Sequence, residues 1–175
     1  MHAIDHRDLE IILKQLTSQL AERLLQLRWM LSTAESCTGG MIATRCTDLA
    51  GSSTWFERGF VTYSNQSKTQ MLGVPEDLIA HHGAVSAPVA KAMALGAVYR
   101  SASEVSIAVT GVAGPSGGSF EKPVGTVWLA WCISGSVHAE VQHFSGDRAH
   151  IRQATTEHAL EGLMKRLPTN KPAGR

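Results

Sequence analysis

Charge is scarce in this 175-residue sequence, at 18% of side chains against roughly 25% in a typical globular chain, and with 43% apolar content that argues against disorder. Sixteen basic residues against 15 acidic ones leave a net charge of +1, so no global field draws in nucleic-acid phosphates and no nucleic-acid partner is expected. Cysteine is sparse too: Cys37, Cys46 and Cys132 form no CxxC pair and cannot all pair with one another. Reduced thiols in a cytoplasmic protein are the expectation. No apolar run approaches the roughly 20 residues of a membrane span, and the polar stretch from Met1 to Glu10 holds no secretory apolar region, so no membrane partner is expected. The glycine spacings GxGxxG and GxxxxGK[ST] are missing, which removes support for a Rossmann dinucleotide site or a Walker phosphate loop. HExxH is missing as well, His138 and His143 fall on opposite faces of a strand, and His81 and His82 are adjacent, so neither a metal nor a cofactor is expected.

A chain of this length fits one domain, and at this size about 70% of the unfolded surface can be buried without disulfide or metal staples. Leu9, Leu13, Leu16, Leu20, Leu24 and Leu27 recur at three- and four-residue steps and predict an amphipathic first helix. Trp29 to Thr33 reads as a short buried strand, followed by a helix over about 40–49. A strand over Gly59 to Tyr63 leads into capping residues Ser64 to Ser67, then helical pieces around Pro75 to His81 and Ser86 to Tyr99. Val105 to Val109 is a β-branched strand. Val124 to Ile133, apolar at almost every position, predicts a strand covered on both faces. Ser134 to Ser136 turns it into a half-exposed partner over 137–143, and a last helix covers about 147–166. The expected architecture is a single three-layer α/β/α domain with a mixed sheet, its core at about 8–166 and a frayed tail at 168–175. The Leu-rich first helix leaves apolar surface for an interface, and a homo-oligomer is expected.

Loops rich in glycine and small hydroxyl residues follow the candidate strands. In α/β sheets ligands collect at the carboxyl ends of strands, so the loops at 35–40 and 110–118 suit a polar or anionic ligand. Ser52 and Ser53, with Tyr63, Ser64 and Lys68, form the most pointed hydrolytic cluster. A serine nucleophile needs a base, and a neutral lysine amine can serve in place of histidine. For that, the Lys68 pKa must fall well below the usual ammonium value, and burial under Trp55, Phe56 and Phe60 is the expected cause. Cys37, at a possible helix N-terminus, is a rival nucleophile or a small buried filler.

Seven short motifs carry a resemblance. They are Ala34-Glu35-Ser36-Cys37-Thr38-Gly39-Gly40, Gly51-Ser52-Ser53, Val61-Thr62-Tyr63-Ser64-Asn65 with Lys68, and His82-Gly83-Ala84-Val85-Ser86. Thr110-Gly111-Val112-Ala113-Gly114-Pro115, Lys122-Pro123-Val124-Gly125-Thr126-Val127 and Phe144-Ser145-Gly146-Asp147-Arg148 complete the series. In this order they resemble the C-terminal domain of the competence/damage-inducible CinA proteins, the nicotinamide-nucleotide amidohydrolase family, over about residues 8–166. The resemblance implies an α/β/α fold and metal-independent serine/lysine hydrolysis of the carboxamide of nicotinamide mononucleotide, in pyridine-nucleotide recycling. It puts the nucleophile on Ser53, the general base on Lys68 and a proton-transfer role on Tyr63. It puts substrate binding on Ser36, Thr38 and Gly39 of one loop, on Thr110, Gly111 and Gly114 of another, and on Arg148 or Arg152. It also implies the stand-alone form, without the extra N-terminal domain of longer CinA proteins. The rival reading is a non-catalytic nucleotide-binding module linked to competence or DNA damage.

Overall fold

The computed structural model describes residues 6–170, with side chains from Glu10 onward. The first helix, α1 (His6–Leu27), follows the leucine period: Leu13, Leu20, Leu24 and Leu27 are buried and Leu16 is half-buried, while the Leu9 side chain lies outside the described residues. The expected tail at 168–175 likewise falls beyond the described residues after 170.

Five strands follow: β1 (Leu31–Glu35), β2 (Phe56–Val61), β3 (Val105–Gly111), β4 (Thr126–Ile133) and β5 (Ser136–His143). They form one mixed sheet in the order β2-β1-β3-β4-β5. The pairs β1–β2 and β1–β3 are parallel, and β3–β4 and β4–β5 are antiparallel. Both early strands sit about two residues away from their expected places, β1 later and β2 earlier. The five buried residues of β1 include Ser32, Thr33 and Glu35, polar groups that hydrophobic content alone does not assign to a strand. Ser32 Oγ meets Ser103 Oγ at 2.8 Å, so its hydroxyl is satisfied inside the sheet layer.

Helices cover both faces. On one side lie α1, α2 (Met41–Thr47) and α6 (Arg148–Arg166), whose apolar faces meet Leu31, Val105, Ile107, Leu129 and Trp131. On the other lie α3 (Asn65–Leu72), α4 (Glu76–His82) and α5 (Ala87–Tyr99), around Ala34, Phe60, Val89, Met93, Ala108 and Ala130. The architecture is therefore the expected α/β/α arrangement with a mixed sheet. As expected, β4 is buried on both faces and β5 is half-exposed at the sheet's edge. Gly162, towards the C-terminal end of α6, lets that helix lie directly on the Trp131 indole, whose Nε1 donates to Ala159 O at 2.9 Å. No helix among the described residues is long and apolar enough to cross a membrane.

The chain leaves β1 for β2 on one side, then crosses back to β3 on the other. The strand order reverses about β1, and in open α/β sheets the carboxyl end at such a reversal is where ligands collect.

Candidate active site

Loops leaving the carboxyl ends of β1, β2 and β3 enclose a cavity of about 200 Å³. Ser36 and Cys37 come from the first loop, Tyr63, Asn65 and Lys68 from the second, and Thr110, Gly111 and Ala113 from the third. Ala84, Val85 and Arg148 complete the lining, which contains no carboxylate.

Lys68 is buried, only 1% exposed. Ser64 caps α3 by accepting from the Ser67 N–H at 3.0 Å, which fixes the helix start and puts Lys68 in its first turn. Lys68 and Leu72 share the inward face at i and i+4, so the core contact that buries Leu72 also holds the lysine inside. Lys68 Nζ has three partners: Thr62 O at 2.9 Å, Tyr63 O at 3.4 Å and Ser36 Oγ at 3.1 Å. A carbonyl can only accept, so Thr62 and Tyr63 each take an N–H. Ser36 is the one partner of the three with a proton to give. An ammonium would donate to all three oxygens, whereas a neutral amine, with two N–H groups and one lone pair, would donate to the two carbonyls and accept from Ser36. Burial pushes the Lys68 pKa down, with only the nearby Cys37 acting in the other direction.

The expected apolar shield over Lys68 is not the one that forms. Trp55 and Phe56 pack in the core on the α1/α6 side, and only Phe60 shares a core with α3. Desolvation comes instead from the α3 docking and from the backbone at 62–63.

Ser53 stands at the other end of the sheet. It is exposed, in a 3-10 turn (Ser52–Thr54) that precedes β2. The next residue but one, Trp55, offers its carbonyl to Leu31 N–H at the first residue of β1 (2.8 Å), whereas Ser36 follows the last. Between Ser53 and Tyr63 runs the whole of β2, roughly 20 Å at about 3.3 Å per residue. The expected Ser53–Lys68 contact is therefore corrected: within one chain, strand length keeps this hydroxyl out of reach of Lys68 Nζ.

The other expected residues divide. Tyr63, 61% exposed, holds its hydroxyl at the cavity, where it accepts from Arg148 Nη2 at 3.1 Å; Arg148 Nη1 donates to Gly114 O at 2.8 Å. Thr110 Oγ1 donates to Ala84 O at 2.9 Å, tying two lining loops together. Gly111 reaches the cavity, while Gly114 meets it only through the Arg148 contact. Thr38, Gly39 and Arg152 lie outside the lining. Thr38 is fully buried with its hydroxyl on Glu35 at 2.8 Å, and Arg152 donates to the carbonyls of Cys37 and Thr38. Arg148 and Arg152, one helical turn apart, thus face different partners. Burial pushes the Cys37 thiol up to about 11, so the helix start does not activate it.

Asn65, Ala84, Val85 and Ala113 line the cavity without having been singled out individually, although each falls inside one of the seven motifs. Two short nucleophile patterns also occur in the loop after β3, GxSxG at Gly114–Gly118 and SxxK at Ser119–Lys122. Neither has the required setting. The loop joins two strands, Ser119 Oγ accepts from the Lys122 N–H at 3.1 Å, and Lys122 Nζ donates to His82 O at 3.1 Å. Among the described residues no group of three or more His, Cys, Asp or Glu side chains is placed to hold a metal.

Comparison with known proteins converges on one family. The CinA C-terminal domain profile matches residues 13–167. Over 159 residues the chain is 48% identical to nicotinamide-nucleotide amidohydrolase PncC of Escherichia coli K12, a match covering 90% of this chain and 96% of that protein. It is 51% identical over 150 residues to the protein of the same name from Pseudomonas putida, covering 86% and 94%. The crystal structure of competence/damage inducible protein CihA from Agrobacterium tumefaciens superposes with a TM-score of 0.85 at 44% identity, covering 94% of this chain and 98% of that one. With a profile match over most of its length and near-full-length relatives at 48% and 51% identity, the chain belongs to the CinA C-terminal domain family.

Proposed function

We propose that this chain hydrolyses the carboxamide of nicotinamide mononucleotide to nicotinic acid mononucleotide and ammonia, with Ser36 as the attacking hydroxyl and Lys68 as its base. The observation that carries the reading is the buried Lys68 amine, whose only hydroxyl partner is Ser36 Oγ at 3.1 Å. The PncC relatives, nearly full-length matches, bear the name of that activity.

Lys68 takes the Ser36 proton as Oγ bonds to the carboxamide carbon, and the carbonyl π pair moves to oxygen. Collapse of the tetrahedral adduct breaks the C–N bond, and a proton passes to the departing nitrogen, leaving ammonia and an acyl-Ser36 ester. Water, losing its proton to Lys68, then cleaves the ester to the acid and restores the hydroxyl. Tyr63 OH is held at the cavity by Arg148 and is the group we assign to the proton relay toward the nitrogen. Arg148, with the only guanidinium among the described residues of the lining, suits the substrate phosphate. No step calls for a metal, so turnover should persist under chelator.

The test is ammonia release from nicotinamide mononucleotide by wild type, Ser36→Ala, Ser53→Ala and Lys68→Met. Loss in Ser36→Ala and Lys68→Met, with Ser53→Ala active, is the expected result. Loss in Ser53→Ala with Ser36→Ala active would move the attack to Ser53, and the distance along β2 would then require that hydroxyl to come from a second copy of the chain. No turnover by folded wild type would favour the non-catalytic nucleotide-binding module.

A further inference from the structure

The loop carrying Ser36 supplies no side-chain cap for the helix that follows it. Gly39 and Gly40 sit at φ +59° and +100°, and Gly40, at the N-cap of α2, has no side chain to accept the first free N–H groups of that helix. Two charged side chains that do not line the cavity supply what the loop lacks.

Glu35, the last residue of β1, is fully buried. Its Oε1 accepts from Thr38 Oγ1 at 2.8 Å and from the Ile42 N–H at 2.9 Å. Its Oε2 accepts from the Ala43 N–H at 2.9 Å and, more distantly, from Thr33 Oγ1 at 3.3 Å. These are neutral donors, so this carboxylate serves as the missing cap of α2 and not as half of an ion pair. From the α6 side, Arg152 Nε donates to Cys37 O at 3.0 Å and Nη2 to Thr38 O at 2.9 Å. Thr38 is thus gripped twice, its hydroxyl by an anion and its carbonyl by a cation. Because the peptide is planar and trans, the Thr38 N–H, opposite the Cys37 carbonyl, points away from Arg152. The short segment so fixed begins with Ser36.

We propose that Glu35 and Arg152 are positioning residues: they clamp the Ser36–Gly40 loop from opposite sides, set Ser36 Oγ against Lys68 Nζ, and neither touches substrate. This rests on the reading of Ser36 and Lys68 as the reacting pair. Arg152 therefore differs in kind from Arg148, although the two share a helix face and a charge.

The experiment compares kcat, KM, thermal midpoint and nicotinic acid mononucleotide affinity in wild type, Arg152→Ala, Arg152→Lys and Glu35→Gln. A displacement of the order of 1 Å at a reacting atom lowers rate about 100-fold, so kcat should drop by about 10- to 100-fold in Arg152→Ala and in Glu35→Gln. KM and product affinity should hold, because the groups facing substrate remain in place. Arg152→Lys, one point donor in place of a two-pronged fork, should fall between wild type and Arg152→Ala. Added guanidinium ion at millimolar concentration should restore part of kcat to Arg152→Ala, which a general loss of stability would not allow. If Glu35→Gln does not fold, the Arg152 series decides. Wild-type kcat in Arg152→Ala, or a raised KM with kcat unchanged, overturns the clamp; the latter would put Arg152 on the substrate. Full turnover in Ser36→Ala would instead overturn the reading beneath it.

Discussion

Replacing Lys68 by methionine tests the central electrostatic claim without reference to any substrate. In the unfolded chain the amine titrates near its ordinary value of 10.5; in the folded chain burial holds it lower. Between those two values the unfolded state carries a proton that the native state does not. Unfolding then takes up a proton, and native stability rises with pH across that window by at most about 1.4 kcal/mol per pH unit. Above 10.5 both states are neutral and the full contribution is present; as pH falls through the depressed folded value it is lost. Lys68→Met keeps the length and apolar stem but cannot titrate. Urea unfolding of both proteins between about pH 7 and pH 10 gives the difference in stability, wild type minus variant, and that difference should climb with pH. The Cys37 thiol, ordinarily at 9.0 and pushed by burial to about 11, gives the opposite slope above 9.0, and because Cys37 and Lys68 act on each other it does not subtract out, so both proteins are compared in a Cys37→Ala background. On the activity side, kcat/KM of wild type should rise over the same window, and Lys68→Met should lose about 10²- to 10⁴-fold. A difference that stays flat to pH 10, or falls, would mean that Lys68 remains an ordinary ammonium, and the base assignment would fail with it.

Two further outcomes follow from α6. Partial burial pushes the Glu140 carboxyl up, but hydrogen bonds from His158, Gln142 and Arg166 outweigh it and hold the pKa below 4.5. Its contribution is therefore present above 4.5 and lost as pH falls through the folded value; Glu140→Gln should cost about 1 kcal/mol near neutrality, the 31% exposure screening the pair, and the deficit should shrink in acid-side urea titrations. Gly162→Ala would gain up to about 1 kcal/mol of helix propensity, yet its methyl group runs into the Trp131 indole. The overlap should win by about 1–3 kcal/mol, visible as a lowered thermal midpoint, and an unchanged or raised midpoint would show that α6 slides freely over the sheet.

The layers were legible because each leans on a regular period. The leucines of α1 and the unbroken apolar run of β4 announce a buried helix face and a strand covered on both sides, and both are there. Strand ends were less legible where polar residues are buried: Glu35 read as loop chemistry beyond a strand ending at Thr33, but it sits in the sheet with its carboxylate satisfied internally. Which serine meets Lys68 depends on strand direction. Ser53 and Ser36 both lie in small-residue loops, and only the parallel pairing of β1 with β2 shows that one precedes the sheet and the other leaves it. The burial of Lys68 has only a partial local signature, the Ser64 cap and Leu72 one turn on, because its hydroxyl partner comes from a loop 32 residues away in the chain. Arg148 and Arg152 could not be told apart by spacing, since one helical turn separates a guanidinium on Tyr63 from one on the Ser36 loop.

That same helix sets a timetable. α6 follows every other described element, yet it supplies the guanidinium at the cavity mouth, the one that grips the Ser36 loop, and the apolar cover for Trp131 and Leu129. A chain whose strands β1 to β5 have paired but whose α6 has not docked therefore leaves that face covered by α1 and α2 alone and the Ser36 loop without its Arg152 contacts. Under the proposed mechanism, competence to react comes with the docking of a single helix, so that turnover reports completed assembly.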